Sequence, residues 1–263
     1  MKIYLYTDFY NPLTLNMLKD LLINKNYEVE VVSNINHLNI DQNIIMCNNV
    51  AGQYEIFKKY CATDIYKMLD CKIGFYNYLK QNNEICLNSN IKYIPTYDNL
   101  YNGPNIHKQF MIKASWGYSC KFNEIKYGNI YDLINQYKNT HQIQDLMNVK
   151  HILGISLCCK FGKIIGVYSY LTTGPISTTS FHAERSNKII FPEVKLFLKK
   201  IVEKLNLNGI LEFEFLIDNE NKIYIMECNP RISGSIRVPI FYDNIIKTYI
   251  NNFHNKDIKE IEL

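Results

Sequence analysis

Arginine is almost missing from this chain. Of its 29 Lys and Arg residues only three are arginine, at Arg185, Arg231 and Arg237. Proline (7) and glycine (11) are too sparse in 263 residues for a linker-like or collagen-like chain. No stretch approaches the ~20 uninterrupted apolar residues of a membrane span. The opening MKIYLYTDFY alternates like a strand rather than running from a basic region into an apolar one. The eight cysteines form no CxxC pair, which argues against a zinc array and for reduced thiols used as small apolar residues. These absences lead us to expect a soluble cytoplasmic protein. The charge balance, 29 basic against 25 acidic residues, is a slight excess of +4 with no clustered patch, so no nucleic-acid partner is expected. What the chain does have is apolar content, 47%, enough for one globular unit or two small lobes around a shared cleft.

Residues 2–6 alternate as a strand, Leu18, Leu21 and Leu22 follow the Asn11-Pro12 start signal at helical spacing, and residues 27–33 form a second strand. This β-α-β opening is the usual beginning of a parallel sheet. A short strand is expected at residues 44–47, and a helical pattern from Gln53 to Leu79. Short strands are expected near residues 84–87 and 92–94, a turn at 97–104, a strand at 109–113 and a helix near 130–139. The segment 142–170 reads as three strands, the last two joined at Phe161-Gly162. A hydroxyl-rich loop, 172–185, leads to a helix at 193–205. The chain closes with a hairpin, 211–217 and 223–229, and a helix near 240–252.

The C-terminal hairpin carries the chemistry. Alternate residues of a strand share a face, so Glu212 and Glu214 point one way, and Glu227 and Asn229 share a face of the return strand. Tyr224, Met226 and Cys228 are expected on the opposite face. With the turn centred on Glu220-Asn221, Glu214 lies across from Glu227 and Glu212 across from Asn229. Like charges placed opposite each other destabilise a sheet. A solvated hairpin face would relieve them; so would a hard divalent cation, and Mg²⁺ uses one or two carboxylates together with substrate phosphates. Asn229-Pro230-Arg231 then turns out of the strand and presents Arg231 beside this face. In a chain that otherwise uses lysine, the planar fork of an arginine suggests a phosphate or carboxylate to grip.

The segment LEFEFLIDNENKIYIMECNPRISGS (Leu211 to Ser235) resembles the last-strand signature of the ATP-grasp superfamily, closest to its carbamoyl-phosphate-synthase-like and biotin-carboxylase-like branches. Upstream and in order, FMIKASWG (Phe110 to Gly117) resembles the lid strand and phosphate loop. LDCKIGFYNYL resembles the helix start that carries an Asp-Lys pair, with Cys71 here in place of the Asp. QIQDLM resembles the hinge whose backbone reads adenine.

The resemblance implies an α+β ATP-grasp fold with ATP between two antiparallel sheets. It implies a short N-terminal α/β lobe over residues 1–68 and an ATP-grasp domain over 69–263, with a lid at about 90–145 and a C-terminal lobe at 146–263. It implies ATP and Mg²⁺, a carboxylate and an amine as substrates, and ligation through an acyl phosphate, and it leaves room for a homodimer. Glu214, Glu227 and Asn229 would hold the metal. Lys72, Lys113, Ser115, Gly117, Gln144, Asp145 and Leu146 would bind the nucleotide. Arg231, Lys113 and Arg185 would be catalytic, with Arg185 on the acceptor side. Trp116 reads equally as core packing or as a lid contact. A kinase on the same fold, a nucleotide-binding protein without catalysis and an interaction module are the rival readings.

Overall fold

A computed structural model of the chain describes residues 1–6, 12–39, 42–47, 55–57, 64–115, 123–137, 140–173, 182–232 and 234–263. Gly117, Trp116 and most of the hydroxyl-rich loop lie outside these residues. The alternation of KIYLY produces strand β1 (Lys2–Tyr6), with Ile3 and Leu5 fully buried. Pro12 opens helix α1 (Pro12–Asn24), where its missing N–H has no partner to lose. Strands β2 (Glu28–Val32) and β3 (Ile44–Cys47) flank β1, both parallel to it, in the order β2-β1-β3.

The helical pattern before residue 81 breaks in two, α2 (Ile65–Asp70) and α3 (Lys72–Gln81), because Cys71 is extended at ψ 111°. The expected strand near 84–87 is a helix instead, α4 (Glu84–Ser89). Consecutive Ile85 and Cys86 are both buried while Leu87 is 71% exposed, which no alternating strand would give. The Ser89 hydroxyl donates back to the Ile85 carbonyl at 2.6 Å, and Asn90 ends the turn at φ 54°.

Strand β4 (Lys92–Tyr93) precedes a four-stranded sheet made of β5 (Thr96–Tyr97), β6 (His107–Ala114), β7 (Glu124–Asn129) and β8 (His141–Asp145), in the order β5-β8-β6-β7. Helix α5 (Ile130–Tyr137) covers one face of it. Seven buried residues form a separate small core there, with Phe110, Ile112 and Ile143 from the strands and Ile130, Leu133, Ile134 and Tyr137 from the helix. The opposite face of that sheet carries Met111, Lys113, Gln142 and Gln144.

The larger sheet has six strands in the order β11-β10-β9-β12-β13-β4. Strands β9 (Val149–Lys160) and β10 (Lys163–Thr173) form the expected hairpin. Phe161 and Gly162 both take positive φ, 50° and 71°, as a tight two-residue turn requires. Strand β11 (His182–Ser186) pairs with β10, so Arg185 lies on an edge strand and not in the loop the sequence suggested. Helix α6 (Pro192–Lys204) packs on one face, where Phe197 meets Phe213 and Phe215 edge-on.

Strands β12 (Gly209–Asp218) and β13 (Ile223–Asn229) complete the sheet. Their alternation puts Phe213 and Phe215 in the core and leaves Glu212 and Glu214 on the other face. A bulge at Met226 changes one detail of the sequence reading. Phe215 pairs with Ile225, so Ile225 and Cys228 share the core face, while Tyr224 pairs with Leu216 on the opposite one. The Tyr249 hydroxyl donates to the Ile45 carbonyl at 2.6 Å, and the Tyr66 hydroxyl to Asn208 at 2.6 Å. The N-terminal sheet and the six-stranded sheet thereby share one core. No helix among the described residues is long and apolar enough to cross a membrane.

Candidate functional site

Register assembles the acidic half of the site. Glu212 is paired with Asn229 and Glu214 with Glu227. Asp218 pins the turn between the two strands, its Oδ1 accepting from the N–H groups of Glu220 and Lys222 at 2.9 Å each. Across the next strands the row continues: Glu214 lies opposite Gly154, Gly154 opposite Tyr170, and Tyr170 opposite Arg185. One polar line thus crosses five strands on the face away from α6.

The three carboxylates are not equivalent. Glu212 is 4% exposed. It accepts from the Tyr170 hydroxyl at 3.2 Å. Burial pushes its carboxyl up to about 7, against the pull of the nearby Arg231 charge and the Tyr170 bond. Glu214 is pushed well above the carboxylate range by burial and then by the charges of Glu227 and Glu212. Glu227 is held on one oxygen by Lys72 Nζ at 3.5 Å and on the other by Asn229 Nδ2 at 3.2 Å. Arg231 donates to Asn229 Oδ1 at 3.1 Å.

The basic half comes from the four-stranded sheet and α3. Lys113, near the end of β6, is 7% exposed. Burial lowers its ammonium pKa and the Lys72 charge adds to that, while Glu227 and Glu214 oppose it. Two backbone ties fix its surroundings. The Lys72 N–H donates to the Ser115 carbonyl at 3.0 Å, and Gln142 Nε2 donates to the Lys72 carbonyl at 3.3 Å. Cys71 caps α3 through its sulfur, which accepts from the Gly74 N–H at 3.4 Å. The hydroxyl of Ser115 and the Oε1 of Gln142 are buried, each residue 2% exposed, without a hydrogen-bond partner among the described residues. Buried acceptors of this kind cost stability unless something arrives to use them.

The structure therefore brings Lys72, Lys113, Glu214, Glu227, Asn229 and Arg231 together. Arg185 is not in the group. It is exposed on β11, three strand spacings from β12, about 14 Å. Its guanidinium and Ser235 lie against the hydroxyl of buried Tyr168. Of the expected hinge, Gln144 faces the cleft, where its Nε2 donates to Thr96 at 3.1 Å. Asp145 points to the other face, taking the Tyr97 hydroxyl at 2.9 Å and Lys108 at 2.7 Å. Leu146 is exposed just beyond the strand.

Sequence reasoning missed three participants. Asp70, half-buried beside Arg231, Lys72 and Glu227, has its carboxyl raised chiefly by burial. Its signal was an acid two residues before Lys72. Gln142 could have been found as the residue following the β8 entry on the Lys113 face. Tyr170, 42 residues from Glu212, left no local signal.

Among the described residues no three His, Cys, Asp or Glu side chains form a metal cluster by themselves. The donor chemistry still suits a hard cation that keeps water and phosphate oxygens in its shell. Glu214 and Glu227 face each other directly, and burial together with this like charge raises the Glu214 carboxyl. Asn229, whose oxygen is taken by Arg231, fits less directly.

No family model matches the sequence, and no curated protein matches it. Comparison of folds does find similar structures. A carboxyaminoimidazole synthetase from Staphylococcus aureus in complex with ADP superposes with a TM-score of 0.63 at 14% identity, over 100% of this chain and 79% of that one. D-alanyl-alanine synthetase A from Vibrio cholerae gives 0.61 at 10% identity, over 97% of each chain. A putative ATP-grasp superfamily protein from Archaeoglobus fulgidus gives 0.54 at 13% identity, over 99% of this chain and 90% of that one. With two antiparallel-rich sheets facing each other across lysines and carboxylates, the chain has the ATP-grasp fold.

Proposed function

We propose that the chain is an ATP- and Mg²⁺-dependent ligase that activates a small-molecule carboxylate for attack by an amine. The observation that carries this reading is the pairing of Glu214 with Glu227 on one side of the cleft and buried Lys113 with Lys72 on the other. Neither half is a comfortable arrangement without a ligand. Two facing carboxylates ask for a cation, and a buried ammonium asks for anionic charge. A magnesium nucleotide supplies both. Solved structures of the same fold include synthetases, one of them in complex with ADP.

In the proposed reaction a substrate carboxylate oxygen attacks the γ-phosphorus, the bond to ADP breaks, and an acyl phosphate forms. The amine then attacks the acyl carbon, phosphate leaves, and a proton passes to solvent. Such transfers need in-line positioning and neutralisation of spread negative charge. Lys113 and Lys72 would hold the phosphates, with Ser115 and Gln142 offering the unsatisfied atoms beside them. Arg231 would stabilise the transferring group. Glu214 and Glu227, with Asn229 beside them, would hold Mg²⁺, whose chemistry is to neutralise charge on the phosphate oxygens. Gln144 and the backbone of Asp145 and Leu146 would line the adenine end, and Arg185 would face the distal acceptor side. The division into an N-terminal lobe over 1–68, a lid and a C-terminal lobe is part of the same reading.

Titrating the chain with Mg-ATP in a calorimeter, then measuring ADP release across a panel of carboxylates and amines, tests it. ADP release that needs both substrates is the expected result. A stable phosphorylated product without an amide would make the protein a kinase. Binding without turnover across the panel would make it a nucleotide-binding protein.

A further inference from the structure

Three carboxylates share one face of the large sheet, yet the proposed metal needs two. The third, Glu212, is held from within the large sheet itself. Its partner is Tyr170, whose hydroxyl lies 3.2 Å from Glu212 Oε1. Tyr170 is on β10 and Glu212 on β12, with β9 between them. Two strand spacings are about 9.6 Å, too far for neighbouring side chains unless the intervening strand stands aside. It does so at Gly154, which is paired with Tyr170 on one side and Glu214 on the other. A Cβ on Gly154 would fall under 3.0 Å from Cζ, Cε1 and the hydroxyl oxygen of Tyr170. The phenol ring therefore fills the notch left by the glycine and leans diagonally past Glu214 to Glu212.

That diagonal choice divides the acids. Glu214 is left facing Glu227. Glu212, opposite Asn229, sits in the field of Arg231, which itself donates to Asn229 at 3.1 Å. A carboxylate pinned from one side by a phenol and drawn from the other by a guanidinium is a support. We propose that Tyr170 is a positioning residue: through the Gly154 notch it fixes Glu212, and Glu212 sets the guanidinium of Arg231 at the phosphate end of the cleft. Its importance for catalysis rests on the ligase reading above, while the geometry can be tested without it.

Because the chain has three arginines, its arginine Nε–H spectrum contains at most three resonances. That of Arg231, whose Nε is buried, is identified by its loss in Arg231→Lys. In the ¹⁵N-labelled full chain, Tyr170→Phe keeps the ring and removes only the hydroxyl. The Arg231 resonance should move, because the Glu212 charge beside it is no longer held by the phenol, while amide resonances of the four-stranded sheet stay in place. An unmoved Arg231 resonance overturns the proposal. Gly154→Ala should shift it too, and the double variant should shift it no further than Gly154→Ala alone, since both act through one hydroxyl. Additive shifts overturn it as well.

Where the wild type turns over, Tyr170→Phe should lower kcat about tenfold with KM for ATP within about twofold, the signature of a displaced catalytic group. A raised KM with unchanged kcat would place the hydroxyl in nucleotide binding and overturn the proposal. If the wild type binds Mg-ADP in the calorimeter but turns over nothing, the ligase reading has failed, and the arginine resonances still decide the role of Tyr170.

Discussion

The two sheets that face the cleft differ in what holds them. The six-stranded sheet shares a core with the N-terminal lobe and is backed by α6, so its carboxylates stand on a thick apolar base. The four-stranded sheet and the one helix beneath it share a core of seven buried apolar residues, yet the sheet carries a buried lysine, a buried amide oxygen and, just past its strand, a buried hydroxyl. In the acidic half Glu212 has Tyr170, and Glu227 has Lys72 and Asn229, which leaves Glu214 as the carboxylate without such a partner among the described residues, raised by burial and then by its acidic neighbours. Among the described residues, the basic half leaves Gln142 Oε1 and Ser115 Oγ unused. A ligand therefore has more to gain at the smaller sheet, while the larger one determines where its charged end must lie.

The largest effect should come from the acidic half. Glu227→Gln removes one of two facing carboxylates and the partner of Lys72. Turnover should fall by about 10³-fold or more, the scale on which charge-stabilising groups act, with the melting temperature little changed because α6 and the phenylalanine core are untouched. Near-wild-type turnover in that variant would falsify the metal assignment. Lys113→Met tests the other half and should give a different signature. Mg-ATP affinity should drop by about 10-fold to 100-fold, while thermal stability holds or rises, because a desolvated ammonium is replaced by a side chain of similar length. A Lys113→Met protein that binds Mg-ATP normally would remove the contrast between the sheets.

The same contrast explains how much of the site could be read in advance. The β12–β13 pairing is local: strict alternation, one short turn, and Asp218 to pin it. Register between Glu214 and Glu227 follows from residues within about fifteen positions of each other. Lys113 was legible because an apolar strand ends beside it. Strand β11 was not, since AERS has no apolar alternation and is held by pairing with β10. Helix α4 was misread because ICL looks like a strand until its neighbours show which side is covered. Tyr170 needs three strands in register and a glycine between them, and no single stretch of sequence contains that information. The bulge at Met226 likewise depends on how β13 is pulled between β12 and β4.

A smaller effect tests the junction between the halves. Cys71 caps α3 with a sulfur, a weak acceptor, at 3.4 Å from the Gly74 N–H. Cys71→Asp supplies a carboxylate oxygen at a helix N-terminus and should stabilise the chain by about 0.5–1 kcal/mol. A urea titration reads this as a higher midpoint at unchanged slope. A lowered midpoint would mean that the half-buried Asp70 next door repels the new charge more than the helix attracts it.

The smallest effect contrasts Lys113 with a second sheltered lysine that lies away from the cleft. Lys160 Nζ donates to the carbonyls of Asn252 and Phe253, where the C-terminal helix Lys247–Asn252 ends. Burial nevertheless lowers its pKa from 10.5 to about 8. With the folded value below the unfolded one, the unfolded chain binds the extra proton between about pH 8 and 10.5, so unfolding free energy rises with pH across that window. The burden of charging Lys160 is full below pH 8 and gone above 10.5. Lys160→Met should flatten that rise, measured as the difference between variant and wild-type urea midpoints at pH 7.5 and pH 9.5. If the two proteins track each other at both values, the helix carbonyls hold the ammonium fully charged. Lys160 would then be satisfied by the backbone alone, leaving Lys113 as the lysine of this pair whose charge depends on a ligand.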